Sequence, residues 1–165
     1  MDESLRAELV REIRDFLDRR WPKAEGDDAV ITDRRLQLAS AVLMVGVVRA
    51  DRESRQDEHR ALAQGLARAL DLADEEAGSV VRAAEEAFDR GVHFPAVLES
   101  LARGCSIDQK RRLVESLWRI AFADAELAGH EEYLVRKVAG QLGLGTADLV
   151  ETKVRAREAF LREDL

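Results

Sequence analysis

Asp124-Ala125-Glu126-Leu127-Ala128-Gly129-His130-Glu131 decides the reading of this chain, because its arrangement occurs twice. At Asp51-Arg52-Glu53-Ser54-Arg55-Gln56-Asp57-Glu58 an aspartate is again followed by a glutamate two places on and another seven places on, 73 positions before the second copy. Each copy follows a strongly apolar segment ending in alanine, Leu38 to Ala50 and Leu113 to Ala123, and each precedes an amphipathic one. The pattern predicts two pseudo-symmetric helix-acidic loop-helix repeats packed face to face, the first over about 36–72 and the second over about 109–144.

Working outward from the two acidic stretches, the flanking sequence reads as helix throughout. Leu5, Leu9, Val10, Ile13, Phe16 and Leu17 recur at three and four places, so the opening segment to about Arg20 is expected to be a one-faced helix stopped by Pro22. A loop with Gly26-Asp27-Asp28 follows, and Thr32 or Asp33 can cap the next helix. From Leu36 to Ala50 apolar residues cover most of the helix circumference, as a central helix surrounded by others requires. Beyond the first acidic loop, Leu62, Ala63, Leu66, Ala69 and Leu70 mark one face. Asp74-Glu75-Glu76 supply negative charge suited to a helix start, and Val80, Val81, Ala84 and Phe88 supply a buried side that ends at Gly91. Pro95 suits the opening of a short helix from Phe94 to Arg103, closed by Gly104.

Ser106-Ile107-Asp108-Gln109 is a capping box, in which the hydroxyl and the amide side chain each satisfy a backbone group at a helix start. That helix runs through Leu113, Val114, Leu117, Trp118, Ile120, Ala121 and Phe122 into the second acidic loop. Tyr133, Leu134, Val138 and Leu142 give the next helix its face. Gly143 and Gly145 break it, and Leu70-Asp71-Leu72 parallels Leu142-Gly143-Leu144 at the corresponding helix end. Thr146 restarts the helix, and Leu149, Val150, Val154, Ala156 and Phe160 mark a terminal one. The expected fold is therefore all-α: a single domain over residues 1–165, a bundle of about seven or eight helices.

Composition limits the function classes. The 165 residues carry a net charge of −7, which argues against a sequence-independent grip on nucleic acid and favours a cation or a basic partner. Hydrophobic residues make up 46% of the chain, too many for disorder. The longest apolar run, Ala41 to Val48, is far short of the roughly 20 residues a membrane span needs, so no membrane insertion is expected. The opening Met1-Asp2-Glu3-Ser4 does not read as a secretory signal. With a single cysteine, Cys105, no internal disulfide forms, which is compatible with a reducing cytoplasm.

Two readings of the acidic loops stand side by side. If the repeats bring both loops to one end of the bundle, Asp51, Glu53, Glu58, Asp124, Glu126 and Glu131 form a carboxylate cluster whose mutual repulsion Ca²⁺ or Mg²⁺ would relieve. In the other reading, helices starting near Arg55 and Ala128 place Glu58 and Glu131 where glutamate reaches back to cap the chain. Asp51 and Asp124 then accept the remaining loop amides, and nothing is left for a metal. The loops are not EF-hands, since the last acid arrives at position 8 and the glycine is missing.

The pattern resembles the TerB-like family of bacterial tellurite-resistance and stress-response operons. The family hallmark is a buried helix running into Ala-Asp-Gly-Glu, then an aliphatic residue, then glutamate at the eighth place from the aspartate. Ala123-Asp124-Ala125-Glu126-Leu127 with Glu131 departs from it only at the glycine. Ala50-Asp51-Arg52-Glu53-Ser54 with Glu58 departs at the glycine and the aliphatic position. Leu117-Trp118-Arg119 and Leu134-Val135-Arg136-Lys137 extend the likeness, which covers roughly 36–150. The resemblance implies a non-enzymatic cytoplasmic module linked to tellurite, metal or oxidative stress; it does not imply that tellurite itself binds. TerB-like domains also look like attachment modules in multidomain proteins, so a metal-free protein-interaction scaffold is the alternative.

Other chemistry has less behind it. His59 and His130 flank the terminal glutamates at non-equivalent repeat positions and read as solvated helix surface, while His93 reads as a turn or cap residue. Cys105 precedes a helix start, which lowers a thiol pKa, but no partner base is identifiable and a small buried or half-buried thiol is expected. Gly143-Leu144-Gly145 lacks the strand that a dinucleotide fold needs. Arg34-Arg35 and Lys110-Arg111-Arg112 lie near the starts of the two central helices, as exposed salt-bridging surface or as a basic patch opposite the acid end. A hydrolase using paired carboxylates is the remaining reading.

Overall fold

The computed structural model describes residues 33–50, 56–123 and 128–163, and among these it contains seven helices and no strand. They are α1 (Asp33–Ala50), α2 (Gln56–Ala69), α3 (Asp74–Asp89), α4 (Phe94–Gly104), α5 (Ile107–Ala123), α6 (Ala128–Gln141) and α7 (Thr146–Glu163). The all-α expectation holds. The opening segment, the Gly26-Asp27-Asp28 stretch and both acidic loops lie outside the described residues.

Burial follows hydrophobic patterning most closely in the two central helices. Every residue from Leu38 to Val48 is buried, and α5 buries Leu113, Val114, Leu117, Trp118, Ile120, Ala121 and Ala123. One continuous apolar cluster draws on all seven helices, from Leu38 in α1 to Ala156 in α7. Removing this surface from water supplies the main driving force of folding, roughly 25 cal/mol for each Å² buried. Helix α5 is the hub: it packs on α1, α2, α6 and most extensively on α7.

Two contacts set the direction of α7. Arg111 at the start of α5 hydrogen-bonds Asp148 at the start of α7 at 2.7 Å, and a second contact further along both helices sets Lys153 Nζ 5.3 Å from the Trp118 ring centroid. Both contacts advance in the same sense, so α5 and α7 run parallel. The C-terminal ends of α1 and α3 also meet, through the Arg49–Asp89 ion pair and the approach of Phe88 to Gly46.

The element lengths of α1–α2–α3 echo those of α5–α6–α7, but the packing differs. In the first trio α3 packs on both α1 and α2; in the second it is α5 that packs on both α6 and α7.

Local chemistry at the helix ends accounts for where the chain turns. Ser106 and Gln109 form the expected capping box, with Gln109 N–H donating to Ser106 Oγ at 3.1 Å and Ser106 N–H to Gln109 Oε1 at 2.8 Å. Pro95 opens α4, where a missing amide hydrogen costs nothing. Gly91 ends α3 in the left-handed region at φ 105°. The Leu70-Asp71-Leu72 and Leu142-Gly143-Leu144 turns share one backbone form: Asp71 and Gly143 have φ of 52° and 85°, and the following leucine amides reach Ala67 O at 2.9 Å and Ala139 O at 3.1 Å. Both are Schellman-type endings that satisfy carbonyls left open by the helix.

Three expected core residues are on the surface. Tyr133 is 64% exposed, Val150 55% and Val154 48%. In α7 the buried side consists of Leu149, Thr152, Ala156 and Phe160, all at helical spacing and all wholly or partly covered, and Val150 and Val154 project to one side of it. Thr152 can be buried because its hydroxyl donates to Leu149 O at 2.9 Å; Ser79 does the same to Glu75 O at 2.9 Å.

Candidate functional site

The acidic stretches follow α1 and α5, the two central helices of the apolar core. Helix α1 ends at Ala50 and α2 begins at Gln56; α5 ends at Ala123 and α6 begins at Ala128. Each acidic stretch thus joins the C-terminus of a central helix to the N-terminus of the next. A helix N-terminus carries partial positive charge and welcomes carboxylates, which suits Glu58 and Glu131 in the first turns of α2 and α6, whereas Asp51 and Asp124 directly follow in sequence the C-termini of α1 and α5, where the dipole disfavours negative charge.

Of the six carboxylates expected to bind a cation, Asp51, Glu53, Asp124 and Glu126 lie outside the described residues. Glu58 is the third residue of α2 and Glu131 the fourth of α6. The register of Glu58 is that of a capping glutamate, and Glu131 stands one residue beyond it. His59 and His130 fall within the same first turns. Among the described residues no group of three or more histidine, cysteine, aspartate or glutamate side chains is arranged to hold a metal ion.

Around the second loop the described side chains form a braced frame. Arg68, in the last turn of α2, donates from Nη1 to the carbonyl of Ala123 at 3.2 Å, and its guanidinium lies 5.9 Å from the Phe160 ring centroid. One cation thereby touches α2, α5 and α7 at the point where α5 gives way to the loop. Trp118 stacks on Phe122 with centroids 5.8 Å apart and planes 17° from parallel. The indole Nε1–H of Trp118 is buried and finds no acceptor among the described residues.

Lys153 sits over that indole and pairs with Glu132, which also accepts from Arg136 at 3.3 Å. The hydrogen bond from Lys153 holds the Glu132 carboxyl below its ordinary range, partial burial opposes the shift, and the charges of Lys153 and Arg136 reinforce it. Glu132 is therefore favoured in its ionised form, a half-exposed anion near the start of α6.

Several sequence expectations resolve plainly. Cys105 is buried just after α4. His93 occupies the N-terminal cap position of α4 with no side-chain capping bond, and its carbonyl accepts from the amides of Ala96 and Val97 at 3.0 and 3.2 Å. Arg111 pairs with Asp148 and Asp108, the salt-bridging reading of the Lys110-Arg111-Arg112 run, and these partners raise its already high pKa. Gly143-Leu144-Gly145 is a helix-to-helix turn. No described helix is long and apolar enough to cross a membrane.

Arg68, Lys153 and Glu132 were not singled out by sequence reading. Glu132 and Arg136 had a local signal, an acid four residues before a base. Arg68 to Ala123 spans 55 positions and had no signal at all.

The fold and these braced helix junctions define an all-α bundle built on two central helices, each running into an acidic connection. The family model described as Tellurite resistance protein TerB matches residues 37–154, most of the chain, and the chain belongs to that family. Neither the curated proteins nor the solved structures gave a match.

Proposed function

We propose that this TerB-family chain is a non-enzymatic, cytoplasmic stress-response module whose two acidic loops, through Asp51, Glu53, Glu58, Asp124, Glu126 and Glu131, bind a divalent cation, Ca²⁺ or Mg²⁺, or a basic partner. The observation that carries the proposal is the recurrence of one acidic spacing after both central helices, in a chain of net charge −7. Hard divalent cations take oxygen ligands, and carboxylates gathered near one another lower their mutual repulsion by sharing one. Family membership supports the link to tellurite resistance and leaves the ligand open.

The register of Glu58 favours a second reading, a metal-free interaction scaffold in which the acids cap their helices and present charge to a protein partner. Titrating wild type and Asp124→Asn with Ca²⁺, Mg²⁺ and Zn²⁺ separates the two. An ion bound only by the folded chain raises its stability by about 2.7 kcal/mol at 100 times the dissociation constant. Cation binding predicts a rise in thermal midpoint that Asp124→Asn diminishes, with Trp118 fluorescence as a second signal. Unchanged midpoints at millimolar metal in both proteins would overturn cation binding and leave the scaffold reading.

A further inference from the structure

We draw no further inference here: the strongest candidate, the exposed apolar stripe of Val150, Val154 and Leu161 along α7, carries nothing because nothing in the structure shows what covers it.

Discussion

Arg68 donates a hydrogen bond to the carbonyl of Ala123, tying the last turn of α2 to the last residue of α5 across 55 positions of sequence. A cation at a helix C-terminus meets carbonyls with no intrahelical partner and the negative end of the helix dipole. Arg68→Ala is expected to lower stability by about 0.5–1.5 kcal/mol, the usual range for one hydrogen bond. Urea unfolding reads the change. A loss no larger than that of Arg82→Ala, an exposed arginine of α3, would show that the contact contributes nothing.

Close packing at Gly46 gives a sharper expectation. A Cβ built there would lie 2.4 Å from the Phe94 ring and 3.1 Å from that of Phe88, and the two rings meet edge to face with centroids 5.9 Å apart. Alanine is the better helix former by about 1 kcal/mol, but overpacking a filled core costs about 1–3 kcal/mol. Gly46→Ala is expected to destabilise the fold, and Phe94→Leu in the same chain to restore part of the loss. A double-mutant cycle with no coupling would refute the steric account.

These contacts mark how far the sequence can be read. Ser106 with Gln109, Pro95 and Gly91 act through bonds or backbone angles within a few residues, so their types alone predict the helix ends they form. The run Leu38 to Val48 is apolar around most of its circumference, with Ser40 its one polar side chain, and is buried throughout. Helix α7 is different, because Val150 and Val154 fit helical spacing as well as Leu149 and Ala156 do, and periodicity cannot choose between two adjoining faces. Thr152 lies on the buried face, its hydroxyl satisfied by a backbone bond within the helix that a search for apolar residues passes over. At the candidate site the acids and the start of each following helix are legible from local spacing, while Arg68 and Lys153 arrive from elements distant in the chain.

The paired turns at Asp71 and Gly143 can be tested against each other. Left-handed backbone costs a residue with a Cβ roughly 1–2 kcal/mol, and glycine avoids that cost. Gly143→Ala is expected to destabilise by about that amount. Asp71→Gly should change stability by less than about 1 kcal/mol, since relief in the folded state is offset by greater freedom in the unfolded chain. Equilibrium unfolding of the two variants makes the comparison, and a neutral Gly143→Ala would overturn the shared left-handed ending.

Glu132 and Lys153 give the fold an expected pH dependence. The ion pair holds the folded Glu132 carboxyl below its unfolded value, so its contribution is fully present above the ordinary glutamate range and is lost as pH falls through the lower folded value. With the glutamate side chain 37% exposed and the lysine 32%, solvent screening limits the pair to about 0.2–1 kcal/mol. Glu132→Gln is therefore expected to be less stable than wild type by that margin at pH 7. The two proteins should converge in acid, where Glu132 is protonated and resembles the glutamine. Added salt should narrow the gap at neutral pH as well, because these charges are partly solvated. Urea unfolding across pH measures the difference directly: a gap that stays constant from neutral to acid would assign the loss to packing and remove the Glu132–Lys153 pair as its source.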